Sequence, residues 1–102
     1  MVNSGSDLIL AIDDLVERAQ LERELGRAHR LLVVESPDEL LSSCLQTVPD
    51  VALIDADLGG PGGGVVACRQ IKSEAKTRHI SVVMVCGRED PIVRTIDAEG
   101  DP

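Results

Sequence analysis

Four short apolar runs constrain this chain most: DLILAI at 7–12, RLLVVE at 30–35, DVALID at 50–55 and ISVVMVC at 80–86. Each is too short for a buried helix. Each reads instead as a strand buried on both faces of a parallel sheet. Helical patterns fill the gaps. Leu15–Ala28 is rich in Glu, Arg, Leu and Ala, with Leu21, Leu25 and Ala28 on one face. Ser36-Pro37-Asp38-Glu39 is a helix start, with Ser36 as cap, Pro37 at the first helical position and Glu39 completing a capping box. Leu40, Leu41, Cys44, Leu45 and Val48 follow at helical spacing, and Pro49 stops that helix. Val65, Cys68, Ile71 and Ala75 predict the inner face of a third helix running to about Lys76. Pro91, Ile92, Val93 and Ile96 predict a last one. Strict alternation of strand and helix implies an α/β sandwich with helices on both sheet faces, right-handed crossovers and strand order 2-1-3-4.

Such a sheet gathers chemistry at the carboxyl ends of its strands. There the first run delivers Asp13 and Asp14, and the third delivers Asp55. Two bare charges about 4 Å apart repel by roughly 4 kcal/mol at an effective dielectric of 20. The expected cluster must therefore take up a proton or bind a cation. All-oxygen ligands favour Mg²⁺, Mn²⁺ or Ca²⁺, and an open octahedral site suits Mg²⁺ with several waters. The plainer alternative is that Asp13 and Asp14 only cap the first helix. Asp57 and a loop holding Gly59, Gly60, Gly62, Gly63 and Gly64 come next. That loop lacks the Lys-Ser/Thr of a P-loop and does not match G-x-G-x-x-G, which argues against a nucleotide cradle.

Net charge narrows the partners. At −8, the chain lacks the cationic surface that nucleic acid or an anionic membrane requires. No apolar run approaches the ~20 residues of a membrane span. MVNSGSD has no basic segment leading into an apolar one, so a cytoplasmic protein is expected, with residues 1–6 a disordered tail and 7–102 one domain. Cys44, Cys68 and Cys86 are widely spaced and read as reduced thiols, not as metal ligands with His29 or His79. There is no Phe, Tyr or Trp, so the core must be aliphatic and modest stability is expected. No His or Ser accompanies the aspartates, so an enzyme is not expected.

These residues resemble the receiver domain of two-component response regulators. LILAIDD resembles the family's first strand with its acid pair. VPDVALID resembles the third strand, where the acid six residues after the proline is the phosphoacceptor, here Asp55 after Pro49. GGVVACRQIK resembles the start of the third helix, and ISVVMVCG the fourth strand. The likeness covers roughly residues 7–98. It implies a flavodoxin-like α/β/α sandwich. It also implies that Asp13, Asp14, Asp55 and the main-chain oxygen of Asp57 hold Mg²⁺, while Asp55 attacks a phosphohistidine of a partner histidine kinase or phosphotransfer protein. The added charge would then alter binding of a downstream protein.

The chain also departs from that family. The Thr or Ser expected at the end of the fourth strand is Cys86, a weak donor. Gly87 beside it is small, as the family requires. Pro61 stands six residues after Asp55 where the family has four, although it is four after Asp57. Strand spacing favours Asp55 over Asp57. The extra glycines predict a loosened loop. The chain ends before a fifth strand with its lysine, its aromatic switch residue and the fifth helix, and Lys72 and Lys76 cannot substitute. A fragment, or a homodimer pairing through an exposed fourth strand, would follow. The competing expectation is a degenerate receiver, keeping the fold but binding or dimerising without phosphorylation.

Overall fold

The computed structural model describes residues 6–86 and 92–96. Eight elements follow in order: β1 (Asp7–Ala11), α1 (Leu15–Leu25), β2 (Arg30–Val34), α2 (Pro37–Thr47), β3 (Val51–Asp55), α3 (Gly63–Ser73), β4 (Ser81–Cys86) and β5 (Ile92–Ile96). They build one five-stranded sheet of order β2-β1-β3-β4-β5. The four expected strands are parallel and in the expected order.

The last element differs from expectation. Residues 92–96 form a strand, not a helix, antiparallel to β4 with Cys86 opposite Ile92 and Val82 opposite Ile96. Their apolar spacing fits either structure. Ile92, Val93, Thr95 and Ile96 are all β-branched, which favours a strand. Pairing also satisfies the backbone groups that β4 would otherwise leave open at the sheet edge. With β5 in place, β4 is not an edge, and the expected pairing of β4 with a second copy is blocked. Gly87 and Pro91, and residues 1–5 of the expected tail, lie outside the described residues. Ser6 is tied in: its N–H donates to His29 Nδ1 at 3.2 Å, and its carbonyl accepts from Arg30.

The helices form where the caps predict. Ser36 Oγ accepts from the Glu39 N–H at 3.1 Å, with Pro37 opening α2. Glu39 reaches one residue beyond a simple capping box, accepting from the Glu35 N–H at 2.9 Å. α2 ends where Val48 turns left-handed at φ 44°, just before Pro49. α3 begins and ends earlier than its apolar spacing predicts. Its buried residues are Gly64, Ala67, Cys68 and Ile71. Val65 and Ala75 are exposed, because Val65 falls outside the stripe of 64, 67/68 and 71 and Ala75 lies beyond the end of α3. Lys76 falls in the turn beyond, where Lys72 Nζ donates to the carbonyls of Arg78 at 3.2 Å and Ile80 at 2.5 Å.

The two sheet faces are unequally covered. On the α2–α3 face, Ile9, Ala11, Val34, Ala52, Ile54, Val82 and Met84 pack with Leu40, Cys44, Ala67, Cys68 and Ile71. On the other face the buried cluster among the described residues is Leu10, Ile12 and Val85, packed against Leu21 and Leu25 of α1. α1 carries no buried residue. At ~25 cal/mol per Å² of apolar surface removed from water, the α2–α3 side supplies most of the stabilisation.

Candidate functional site

The site forms where β1 and β3 end side by side. Leu10 and Leu53 pair in register, as do Ala11 and Ile54, so the chain emerges at neighbouring points as Asp13 and Asp55. The Ala56 N–H then donates to the Val85 carbonyl at 2.9 Å, holding the exit from β3 against β4. Asp55 is half-buried, while Asp13 is exposed beside it. Burial raises the proton affinity of Asp55 above its ordinary value. The Asp57 N–H, donating to Asp55 Oδ1 at 2.9 Å, works in the opposite direction. The charges of Asp13 and Asp57 and a side-chain hydrogen bond with Asp13 raise it again. Asp13 and Asp55 thus behave as a facing pair.

Asp14 opens α1. Its carboxylate is the N-cap of α1, accepting from the N–H groups of Val16 at 3.0 Å and Glu17 at 3.1 Å. Those amides have no partner within the helix, so the cap competes with any role at the sheet edge. Among the described residues, no three His, Cys, Asp or Glu side chains come together as a metal site. The expected convergence of three carboxylates is therefore reduced to two. The Asp57 side chain accepts from the Gly62 N–H at 3.0 Å. The Asp57 carbonyl accepts from Gly60 at 2.9 Å and keeps a second lone pair. Cys86 ends β4 one residue past Val85, the partner of Asp55.

The glycine loop follows a path that needs its glycines. Gly59, Gly60 and Gly62 take φ values of 76°, 136° and 75°, which other residues rarely adopt. The Gly59 N–H donates to Asp13 Oδ2 at 3.2 Å. Leu58 is fully buried and anchors the loop to the core. A Cβ on Gly64 would overlap the Asp55 carbonyl oxygen, so glycine there lets α3 start directly behind the aspartate. Sequence reasoning missed both Leu58 and the Gly59–Asp13 link. The lone Leu between Asp57 and Gly59 was the available signal.

The donor set of Asp13, Asp55 and the Asp57 carbonyl is all oxygen. It fits a hard cation that keeps several waters.

No protein-family model matches the sequence. No curated protein matches it either. Solved structures do. The receiver domain of a sensor histidine kinase from Pseudomonas aeruginosa, described with a magnesium ion in its active-site cleft, matches with TM-score 0.72 and 22% identity over 78% of this chain and 66% of that one. A putative response regulator from Chloroflexus aurantiacus matches with TM-score 0.73 and 23% identity, covering 78% and 66%. The N-terminal domain of a response regulator receiver protein from Methanoculleus marisnigri matches with TM-score 0.62 and 29% identity, covering 78% and 64%. The chain thus spans 64–66% of the length of these three. Among its own described residues no helix is long and apolar enough to cross a membrane. With four parallel strands in the order 2-1-3-4 and an aspartate pair at their carboxyl edge, the chain has the fold of a response-regulator receiver domain.

Proposed function

We propose that this chain is a signal-transduction receiver module whose Asp55 accepts a phosphoryl group. One observation carries the reading: Asp55 ends the central strand β3, half-buried, with its carboxylate facing Asp13 and its proton affinity raised. An Asp55 oxygen forms the new P–O bond as the donor's bond to phosphorus breaks. With a histidine kinase or phosphotransfer protein, the leaving group is that protein's imidazole. The carboxylates of Asp13 and Asp55 and the Asp57 carbonyl would hold Mg²⁺, while Asp14 stays at its helix cap. The ion supplies charge neutralisation and orients the phosphoryl group. The chain's own part is to hold Asp55 in place, through the Asp57 N–H and through Gly64 behind its carbonyl. Readout then passes to a downstream protein in the cytoplasm, with Cys86 and Gly87 at the switch position.

A second reading has specific support. Asp14 is engaged as a cap, and Cys86 stands where a hydroxyl donor is expected; on this reading the chain would act as a phosphorylation-independent binding module. Incubation with Mg²⁺ and acetyl phosphate, followed by intact mass, separates the two. An adduct lost in Asp55→Asn supports the phosphoacceptor. Its absence from the unaltered chain supports the binding module.

A further inference from the structure

β2 is an edge of the sheet, and among the described strands it pairs with β1 alone. The Arg30 N–H donates to the Ser6 carbonyl at 3.0 Å, on the β1 side. Alternation along the strand turns the backbone of Leu32 and Val34 to β1 as well. The N–H and C=O groups of Leu31 and Val33 therefore face the open edge. On either side of them the N–H groups are already bonded. His29 donates to the Leu25 carbonyl at 3.1 Å, and Glu35 donates to Glu39 Oε1 at 2.9 Å. The edge thus offers the donors and acceptors of Leu31 and Val33, with no open donor beside them.

The side chains of this edge are apolar. Val34 belongs to the α2–α3 side of the core and Val33 to the α1 side, so Leu32 lies on the α2 side. Leu32 is 42% exposed, beside a hollow of about 230 Å³ lined in part by Ile9, Thr47 and Pro49 and by the ion pair of Arg30 and Asp7. β2 lacks the proline, lysine or bulge that usually protects an edge, and its one charge, Arg30, is held by Asp7 at 2.6 Å. Local charge is near balance. From 23 to 35 the chain carries Arg23, Arg27 and Arg30 against Glu24 and Glu35, although its net charge is −8.

We propose that β2 pairs antiparallel with β2 of a second copy, across a two-fold axis at Leu32, joining two five-stranded sheets into one. The open groups select this register. Leu31 opposite Val33 of the second copy, and the reverse, uses every open N–H and C=O of the two residues. Pairing Leu31 with itself would bring Val33 against the bonded N–H of His29. Pairing Val33 with itself would bring Leu31 against that of Glu35. In the selected register the two exposed Leu32 side chains meet, and His29 stands opposite Glu35 of the second copy. His29 Nδ1 accepts from the Ser6 N–H, so Nε2 carries the proton and can donate to that carboxylate. This self-complementarity favours a second copy over an unrelated strand, and the contact closes at two chains.

The test is a concentration series on ¹⁵N-labelled protein, read by sedimentation and by amide exchange. The Leu31 and Val33 amides should exchange fast when dilute and become protected as concentration rises, in step with dimer formation. The Leu32 and Val34 amides, bonded to β1, should be protected throughout. Raising salt should tighten the dimer by screening the net charge. Leu32→Glu sets two carboxylates opposite each other and should weaken dimerisation about tenfold or more, with the signals of β3 and α3 unchanged. Leu32→Cys should form a disulfide between copies on mild oxidation, whereas Val66→Cys, also exposed but on α3, should not. Asp55→Asn should dimerise unchanged, which separates this surface from the phosphoacceptor. Three outcomes would overturn the proposal: a monomer at every concentration, protection of Leu31 and Val33 that does not follow concentration, or a dimer that Leu32→Glu leaves intact.

Discussion

Asp13 Oδ2 accepts the Gly59 N–H at 3.2 Å, joining the end of β1 to the turn that leaves β3. The same carboxylate faces Asp55. A cation drawn to Asp13 and Asp55 therefore competes with Gly59 for Asp13. Titrating Mg²⁺ should move the Gly59 and Asp57 amide signals more than those of β2. In Asp13→Ala those shifts should be lost. Shifts that persist in Asp13→Ala would place the cation elsewhere.

Asp55 sits in an environment that disfavours its charge, chiefly through burial and then through Asp13 and Asp57. Its folded-state proton affinity lies above the unfolded value of 3.8, so its contribution to stability is full below that pH and is lost as pH rises through the folded value. Asp55→Asn should therefore melt a few degrees higher than the unaltered chain at pH 7 without divalent cations. The gain should vanish near pH 3.5 and shrink when Mg²⁺ is added. Melting curves at both pH values check this.

Asp14 Oδ1 caps α1. Asp14→Ala should cost about 0.5–2 kcal/mol of stability, the usual loss of an N-cap. It should weaken Mg²⁺ binding far less than Asp13→Ala does. Denaturant melts and calorimetric titration read the two effects separately. A Mg²⁺ affinity that falls equally in both variants would restore Asp14 as a ligand.

Val48 holds φ 44° at the end of α2, a left-handed geometry that crowds a β-branched side chain. Val48→Gly should stabilise the chain by about 1 kcal/mol, since relief of the strain exceeds glycine's extra chain entropy. Urea denaturation provides the check.

The carriers of Asp13 and Asp55 are legible in the sequence because β1 and β3 are continuous apolar runs whose first polar residues mark their ends. The α2 cap is equally legible, since Ser36, Pro37 and Glu39 act within four residues. What fails is long-range. Nothing local distinguishes Asp13 from Asp14, because the choice depends on which carboxylate reaches the α1 amides and which reaches Gly59. IVRTI reads as helix or strand until the vacant edge of β4 is available to it. The glycine loop reads as loose because its order comes from Leu58 in the core and from Asp13 and Pro37 on other elements.

The most direct measurement locates the phosphoryl group itself. After incubation with Mg²⁺ and acetyl phosphate, borohydride reduces an aspartyl phosphate to homoserine, which peptide mass mapping can place. Homoserine at position 55, absent from Asp55→Asn and retained in Asp57→Asn, is the predicted result. Homoserine at 57, or none at either position in the unaltered chain, would contradict it.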